Sequence, residues 1–157
     1  MAVRALHPAV VERPRTSMER TPDGLRLVVE RSMRVSPAAV WRVFRDTHRW
    51  PEWGPSITAV DCADRFVERG ATGYVITVGG LRLPFEVTSC ADGRWTWDVA
   101  GLPATGHRVR TAADRTVAAF EVPLAAAPYA FVCRKALGRL DAVACDDERA
   151  AAGDDET

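Results

Sequence analysis

A pair of short helical segments at residues 35–57, set between two strand-like segments, constrains the fold of this chain most. Ser36 is a good N-cap residue, because its hydroxyl can accept a hydrogen bond from a free N–H of the first helical turn. Pro37 follows at the first helical position, where its missing N–H costs nothing. Apolar residues then recur at helical spacing as far as Phe44, and residues 50–53 (Trp-Pro-Glu-Trp) form a second short turn. The pattern predicts a strand that enters two short helices and another strand that leaves them.

Segments with strand character flank this helix pair on both sides. Residues 25–35 alternate apolar and polar side chains, as in a strand with one buried face. After the helices, further segments alternate in the same way or are rich in β-formers: residues 56–63, 74–78, 81–87, 94–99, 106–111 and 117–124. Gly79 and Gly80 join two of these segments as a tight hairpin turn. The order predicts an antiparallel sheet.

The C-terminal part of the chain changes its period. From Pro128 onwards, apolar residues recur at the spacing of an α-helix rather than of a strand. The predicted apolar stripe consists of Tyr129, Val132, Ala136, Leu137, Leu140 and Val143. A strand, two short helices, a run of antiparallel strands and a last long helix together indicate an α+β fold.

The residues of the helix pair also resemble a known superfamily. A strand that ends in Ser-Pro-x-x-Val-Trp (residues 36–41), followed by Phe-x-Asp (44–46) and Trp-Pro-x-Trp (50–53), is similar to the opening of START-like proteins. That superfamily includes the SRPBCC and polyketide cyclase/dehydrase proteins, and the resemblance covers residues 25–145. It implies a helix-grip fold, in which a curved antiparallel sheet of about seven strands wraps around a long C-terminal helix. It also implies a ligand cavity between the sheet and that helix.

We expect one domain with disordered ends. The 157 residues are enough to bury the core of a single domain. Residues 1–24 are rich in Arg and Pro without periodicity, which predicts a disordered N-terminal arm. Residues 25–145 then form the START-like ligand-binding domain, and residues 146–157 form an acidic, disordered tail.

Composition excludes several classes of function. The formal net charge is zero, so there is no general argument for nucleic acid or an anionic membrane as a partner. The most apolar region, residues 117–133, contains Glu121, Pro123 and Pro128 and therefore cannot span a membrane. The sequence has no visible signal peptide, and we expect a cytoplasmic protein.

Cofactor and metal motifs are also missing from the sequence. The four cysteines form no C-x-x-C pair and have no histidine at ligand spacing: they are Cys62, Cys90, Cys133 and Cys145. The sequence has no Gly-rich phosphate loop and no Ser/His/Asp order. We therefore predict neither a metal site nor a cofactor.

Bulky residues are predicted to form the wall of the cavity. Strand alternation and the helical stripe place large apolar side chains on the inner surface: Val29, Ile76, Phe85, Trp95, Trp97, Val109, Phe120, Tyr129 and Val132. Such a wall suits a flat, apolar or aromatic ligand. The same rings could equally fill the interior as ordinary core, because ligand pockets and cores use the same residue types.

Four residues that carry a polar group are candidates for ligand contact. Arg31 is the odd residue on an apolar strand face, where it could neutralise a ligand carboxylate or enolate. It could equally extend its charged end to solvent at the rim of the sheet. Tyr74 and Tyr129 could donate to a carbonyl or phenol, and Trp53 could gate the cavity mouth together with Trp50.

His107 is the candidate general acid or base. Alternation places it on the inward face, and imidazole titrates near neutral pH. The alternative is a histidine that is hydrogen-bonded to backbone, since no carboxylate partner is evident on the same face. The carboxylates of Glu86, Asp98 and Glu121 fall on the outer face, where exposed charges are expected.

Three hypotheses of function remain open at this point. The first is a module that binds a small apolar or aromatic metabolite, lipid- or polyketide-like, and the scarcity of inward polar residues favours it. The second is an enzyme, a polyketide cyclase or dehydratase in which His107 transfers protons and Tyr129 or Arg31 stabilises an enolate. The third is a protein-interaction module, as in chaperone-activating relatives of the fold. A small hydrophobic molecule is the expected partner, and assembly as a homodimer is left open.

Overall fold

Eight antiparallel strands form one curved sheet in the computed structural model, which describes residues 12–155. In chain order, the strands are β1 (Arg15–Thr21), β2 (Gly24–Met33), β3 (Ile57–Cys62), β4 (Thr72–Thr77), β5 (Arg82–Ala91), β6 (Arg94–Val99), β7 (Leu102–Ala112) and β8 (Arg115–Pro123). Their order in the sheet is β1-β2-β8-β7-β6-β5-β4-β3. Strands β3 to β8 are thus consecutive neighbours, and β2 pairs with β8.

Helices α1 (Pro37–Arg45) and α2 (Trp50–Trp53) connect β2 to β3, as predicted. The hydroxyl of Ser36 accepts a hydrogen bond from the N–H of Ala39 at 3.3 Å, so Ser36 is the N-cap of α1. A 3₁₀ helix over Leu124–Tyr129 leads from β8 into the last helix, α3 (Ala130–Asp154). The helix pair and the strand segments of the sequence prediction are therefore confirmed.

Helix α3 packs against α1, α2 and β2 and covers the inner face of the sheet. Its buried side chains repeat at helical spacing: Ala130, Cys133, Ala136, Leu137, Leu140 and Ala144. Ala136, Leu137 and Leu140 of the predicted stripe are among them, whereas Tyr129, Val132 and Val143 are partly exposed. Ion pairs support this contact, with Arg31 of β2 at 3.1 Å from Asp141 and Arg49 at 2.7 Å from Asp147. The chain thus has the predicted α+β helix-grip fold, with one strand more than expected.

The structure differs from the prediction at the N-terminal end. Residues 15–21 form β1, which pairs with β2 from Arg15 opposite Glu30 to Thr21 opposite Gly24. This strand carries polar residues on both faces, and Met18, its one large apolar side chain, is exposed. It therefore lacks the alternation by which a half-buried strand is recognised. Residues 1–11 of the predicted arm lie outside the described residues.

The C-terminal end also differs from the predicted disordered tail. Helix α3 continues to Asp154, and two acidic residues in its C-terminal half have partners on the domain. Asp147 pairs with Arg49, and the carboxylate of Glu148 accepts from the N–H of Ser36 at 3.3 Å. Residues 156–157 lie outside the described part. Among residues 12–155, no helix is long and apolar enough to cross a membrane.

Candidate ligand cavity between the sheet and helix α3

Aromatic rings fill most of the space between the sheet and α3. Trp50 stacks on Trp95, with ring centroids 5.4 Å apart and planes 4° apart. Trp95 in turn stacks on His107, with centroids 3.6 Å apart. Phe44 meets His107 and Phe120 edge-on at 5.6 and 5.5 Å. Phe85 also contacts Trp50, with centroids 5.4 Å apart, and we call these six residues the ring cluster. They are packed core, so the rings fill this part of the interior as ordinary core residues do.

Trp50 and Trp53, the predicted gate residues, are buried in this core. Trp50 is fully buried and Trp53 is 4% exposed. The indole N–H of Trp50 donates to the carbonyl of Phe44 at 3.0 Å, and that of Trp53 donates to the carbonyl of Val43 at 3.3 Å. Both side chains therefore fasten α2 to the end of α1. Trp53 also borders a small cavity next to α3, and the gating role of the two residues stays a prediction.

A cavity of about 320 Å³ remains beside this core. It lies between the inner face of β3 to β7 and the 3₁₀ helix that precedes α3. Its apolar wall includes Ile57, Val75, Leu83, Trp97, Val99, Leu102, Pro103 and Pro123. Its polar groups are the hydroxyls of Ser56, Thr77, Thr105 and Tyr129. No charged side chain of the described residues lines this cavity.

The inner polar group is a hydrogen-bonded chain of three side chains. The indole N–H of Trp97 donates to Thr105 Oγ1 at 3.2 Å. Thr105 Oγ1 lies 3.2 Å from Nε2 of His107, and Nδ1 of His107 lies 3.4 Å from the carbonyl oxygen of Trp95. A carbonyl can only accept, so we assign the imidazole proton to Nδ1 and make Nε2 the acceptor.

This environment determines the charge of His107. The ring is 1% exposed, and its burial lowers the pKa of His107 to about 3, against the opposing effect of the bond to Trp95. His107 is therefore neutral at physiological pH and both of its ring nitrogens have partners. The geometry agrees with the alternative interpretation, a histidine hydrogen-bonded to backbone. A catalytic role of His107 stays a prediction.

The second polar group lies on the 3₁₀ helix and the loop before β3. Tyr129 Oη and Ser56 Oγ are 2.6 Å apart. The ring of Tyr129 is 38% exposed, so this pair lies towards solvent. Partial burial raises the pKa of the Tyr129 phenol, partly offset by its hydrogen bond to Ser56. The predicted contact residue Tyr129 thus borders the cavity as an uncharged phenol.

Two predicted contact residues of β4 face the other way. Tyr74 is 41% exposed on the outer face, where the guanidinium of Arg82 lies 4.0 Å from its ring centre. Ile76 shares that face and is half-buried, whereas Val75 is buried and lines the cavity. The prediction was wrong here because both alternating sets in residues 74–78 contain large apolar residues.

The remaining predicted residues have mixed positions. Arg31 is occupied by its ion pair with Asp141 and does not line the cavity. Phe85, Trp95 and Phe120 are buried in the ring cluster, and Val109 packs half-buried at its edge. Val132 lines a small extension, about 20 Å³, that leads from Thr105 to α3. Of the predicted wall, only Trp97 and Tyr129 border the main cavity.

One outer-face carboxylate is buried, contrary to prediction. Glu121 of β8 is 1% exposed, because the side chains of Arg94 and Arg108 lie against it. Arg94 donates to both carboxylate oxygens at 2.7 to 3.2 Å. Gly106 leaves room for the carboxylate, since a Cβ there would approach Oε1 of Glu121 to 2.9 Å.

Within residues 12–155, no group of three or more His, Cys, Asp or Glu could hold a metal ion.

Comparison with known proteins identifies the class of fold. No family model matches the chain, and no curated protein matches its sequence. Solved structures do match it. Protein MLL2253 from Mesorhizobium loti is 16% identical, with a TM-score of 0.60 over 74% of this chain and 93% of that one. Protein Ms6760 from Mycobacterium smegmatis is 15% identical, with a TM-score of 0.56 over 85% and 99%.

The protein Ara h 8.0201 is a third structural neighbour. It is 13% identical, with a TM-score of 0.54 over 83% of this chain and 95% of that one. At these identities the likeness is one of fold. It agrees with the helix-grip architecture that the sheet order and helix α3 define.

Proposed function

We propose that this protein binds a small apolar or aromatic molecule in the cavity beside the ring cluster. The observation that carries the proposal is the cavity itself, about 320 Å³ with no charged side chain among its described lining residues. This volume is at the lower end of the range of about 300–1,000 Å³ typical of small-molecule sites. A few hydroxyl groups in an apolar wall are also typical of such sites.

The ring cluster restricts the size of the ligand. Because Trp50, Trp95 and Phe120 occupy the centre of the domain, a ligand has only the end of the interior near the 3₁₀ helix. A compact metabolite fits this space better than a long acyl chain. A lipid- or polyketide-like compound of small size, as in the cyclase/dehydrase-type resemblance, is the class we propose.

The enzymatic alternative has less support. It requires a group that exchanges protons at the cavity, and the predicted group, His107, is neutral and bonded at both nitrogens.

The second function that a specific observation favours is a protein-interaction module. Four large apolar side chains are 63–74% exposed, namely Val78, Leu81, Leu102 and Phe131, and exposed apolar side chains can mark an interaction surface.

Two neighbouring alanines of the 3₁₀ helix provide a matched test. Ala125 and Ala126 are both exposed, but only Ala126 lines the cavity. Ligands that co-purify with the protein are extracted and identified by mass spectrometry, and binding of 2-naphthol is followed by titration calorimetry. Ala126→Trp should weaken binding at least about tenfold by filling the cavity, whereas Ala125→Trp should leave it unchanged. Equal affinity in both variants, or an unliganded protein that binds no apolar probe, would contradict the proposal and favour the interaction module.

A further inference from the structure

Thr105 borders the cavity, and its hydroxyl has two fixed partners. The residue is 6% exposed and borders both the main cavity and its small extension. Trp97 Nε1 and His107 Nε2 both lie 3.2 Å from its Oγ1. The directions of these two hydrogen bonds determine what a ligand at this hydroxyl can do.

The hydroxyl group of threonine has one proton and two lone pairs. The indole N–H of Trp97 is only a donor, so it occupies one lone pair of Thr105. His107 carries its proton on Nδ1, which faces the carbonyl of Trp95, so its Nε2 takes the proton of the Thr105 hydroxyl. A single lone pair remains on Thr105 Oγ1, and no proton.

We infer that the cavity selects an uncharged ligand that donates a hydrogen bond, through a phenol, alcohol or amide group, to Oγ1 of Thr105. This inference rests on the proposed function, since it concerns the same cavity. A ligand that presents only an ether or carbonyl oxygen there would place lone pair against lone pair. Such a ligand leaves its buried polar atom without a partner, which costs binding free energy.

The charge of the ligand follows from the rest of the wall. No described side chain at the cavity could pair with a carboxylate or an ammonium group. A charged ligand group would therefore be desolvated with no opposite charge to pair with. The wall favours the neutral form of any ligand that can lose or gain a proton.

The hydroxyl pair on the solvent side does not discriminate in this way. Either Ser56 Oγ or Tyr129 Oη can donate the hydrogen bond between them. Whichever donates, the other hydroxyl keeps a proton that a ligand acceptor can use. Lone pairs of the two oxygens also stay free for a ligand donor. Thr77 does not discriminate either, because the N–H of Leu81 donates to its Oγ1 and leaves one proton and one lone pair. Selection for a donor therefore depends on Thr105, whose proton is committed to His107.

Three naphthalene probes of similar size test the inference on the unmodified protein. 2-Naphthol is a donor, 2-methoxynaphthalene is an acceptor only, and 2-naphthoate is charged. We expect 2-naphthol to bind about five- to tenfold more tightly than 2-methoxynaphthalene, as one hydrogen bond predicts, and 2-naphthoate to bind far more weakly. Equal or tighter binding of 2-methoxynaphthalene would overturn the inference.

Two substitutions separate the hydroxyl from the shape of the side chain. Thr105→Ser keeps the acceptor and should keep the preference for 2-naphthol. Thr105→Val keeps the shape, removes the acceptor and should abolish the preference, with similar affinity for both neutral probes. A Thr105→Val protein that still prefers 2-naphthol would overturn the inference. If that variant does not fold, the probe series on the unmodified and Thr105→Ser proteins still decides.

The two proposals fail in different ways. If no probe binds, or if Ala126→Trp does not weaken binding, the proposed function itself fails. If the neutral probes bind in a manner sensitive to Ala126→Trp but without preference for the donor, only the selection by Thr105 fails.

Discussion

His107 and Trp95 are directly opposite each other on β7 and β6 and stack face to face, with ring centroids 3.6 Å apart and planes 9° apart. Nδ1 of His107 also lies 3.4 Å from the carbonyl oxygen of Trp95. One strand pair therefore provides both the stacked ring that buries the imidazole, which keeps it neutral, and the acceptor for its Nδ1 proton. This relationship leads to the first prediction.

Acid should destabilise the protein through His107. Its pKa is lowered from 6.5 to about 3 in the folded protein, so between these values the unfolded chain binds the extra proton. Stability from this residue is therefore present above pH 6.5 and is lost as the pH falls towards 3, with a slope of up to about 1.4 kcal/mol per pH unit. Urea unfolding between pH 4 and 7 measures this slope. His107→Phe should flatten it, and His48→Gln, at an exposed site, should not. An unchanged slope in His107→Phe would contradict the prediction.

Trp50 should be central to stability. It is fully buried and contacts the rings of Trp95, Trp97 and Phe85. Trp50→Ala should reduce the free energy of unfolding by about 3–5 kcal/mol, because it leaves a large cavity. Trp41, on the half-buried flank of α1, is the matched control, and its replacement by Ala should cost much less. Chemical denaturation of both variants checks the difference, and equal losses would show that Trp50 has no special place in the core.

Glu121 should contribute more to the stability of the protein than an exposed carboxylate on the same outer face of the sheet. Its side chain is 2% exposed between Arg94 and Arg108, and its hydrogen bonds raise the pKa of Arg94 above the ordinary value. Glu121→Gln should lower the free energy of unfolding by about 3 kcal/mol, because it leaves partly buried arginine charge without its partner. Glu86→Gln, at an exposed position of β5, should change it by less than about 0.5 kcal/mol. A loss at Glu121 as small as that at Glu86 would refute the assigned role.

Gly106 should tolerate no side chain, since it lies against Glu121. A Cβ there would approach Oε1 of Glu121 to 2.9 Å and its Cβ to 3.1 Å, and the arginines restrain that carboxylate. Gly106→Ala should destabilise the protein by about 1–3 kcal/mol, as overpacking does. Gly79→Ala is the control, because a Cβ at Gly79 meets nothing closer than 3.9 Å. Thermal unfolding of both variants gives the comparison, and a neutral Gly106→Ala would mean that the carboxylate moves freely.

Local sequence signals predicted most of the elements correctly. The Ser36–Pro37 helix start, the Gly79–Gly80 turn and the helical stripe of α3 all depend on residues close together in the chain. Strand β1 was missed because it is a polar edge strand, stabilised by pairing with β2 rather than by a buried face of its own. The inward side of β4 was missed because both of its faces carry apolar residues.

The candidate site was predicted less completely than the fold. Trp97 and Tyr129 do border the cavity, but Thr105 carried no signal of its own, since threonine is common in strands of any function. Its importance arises from two partners, Trp97 and His107, that register and a local strand irregularity bring to it.

The sequence by itself determined the α+β order, the helix pair, the antiparallel strands and the long last helix, because periodicity and capping act over a few residues. Only the tertiary structure decided which rings are core and where an empty space remains. That outcome depends on how Trp50, Trp95 and His107 stack across three distant segments, and on Glu121 meeting two arginines of neighbouring strands. The packing of a ring and the burial of a charge depend on all of their neighbours at once. The alternation of residues along one strand carries no information about those neighbours.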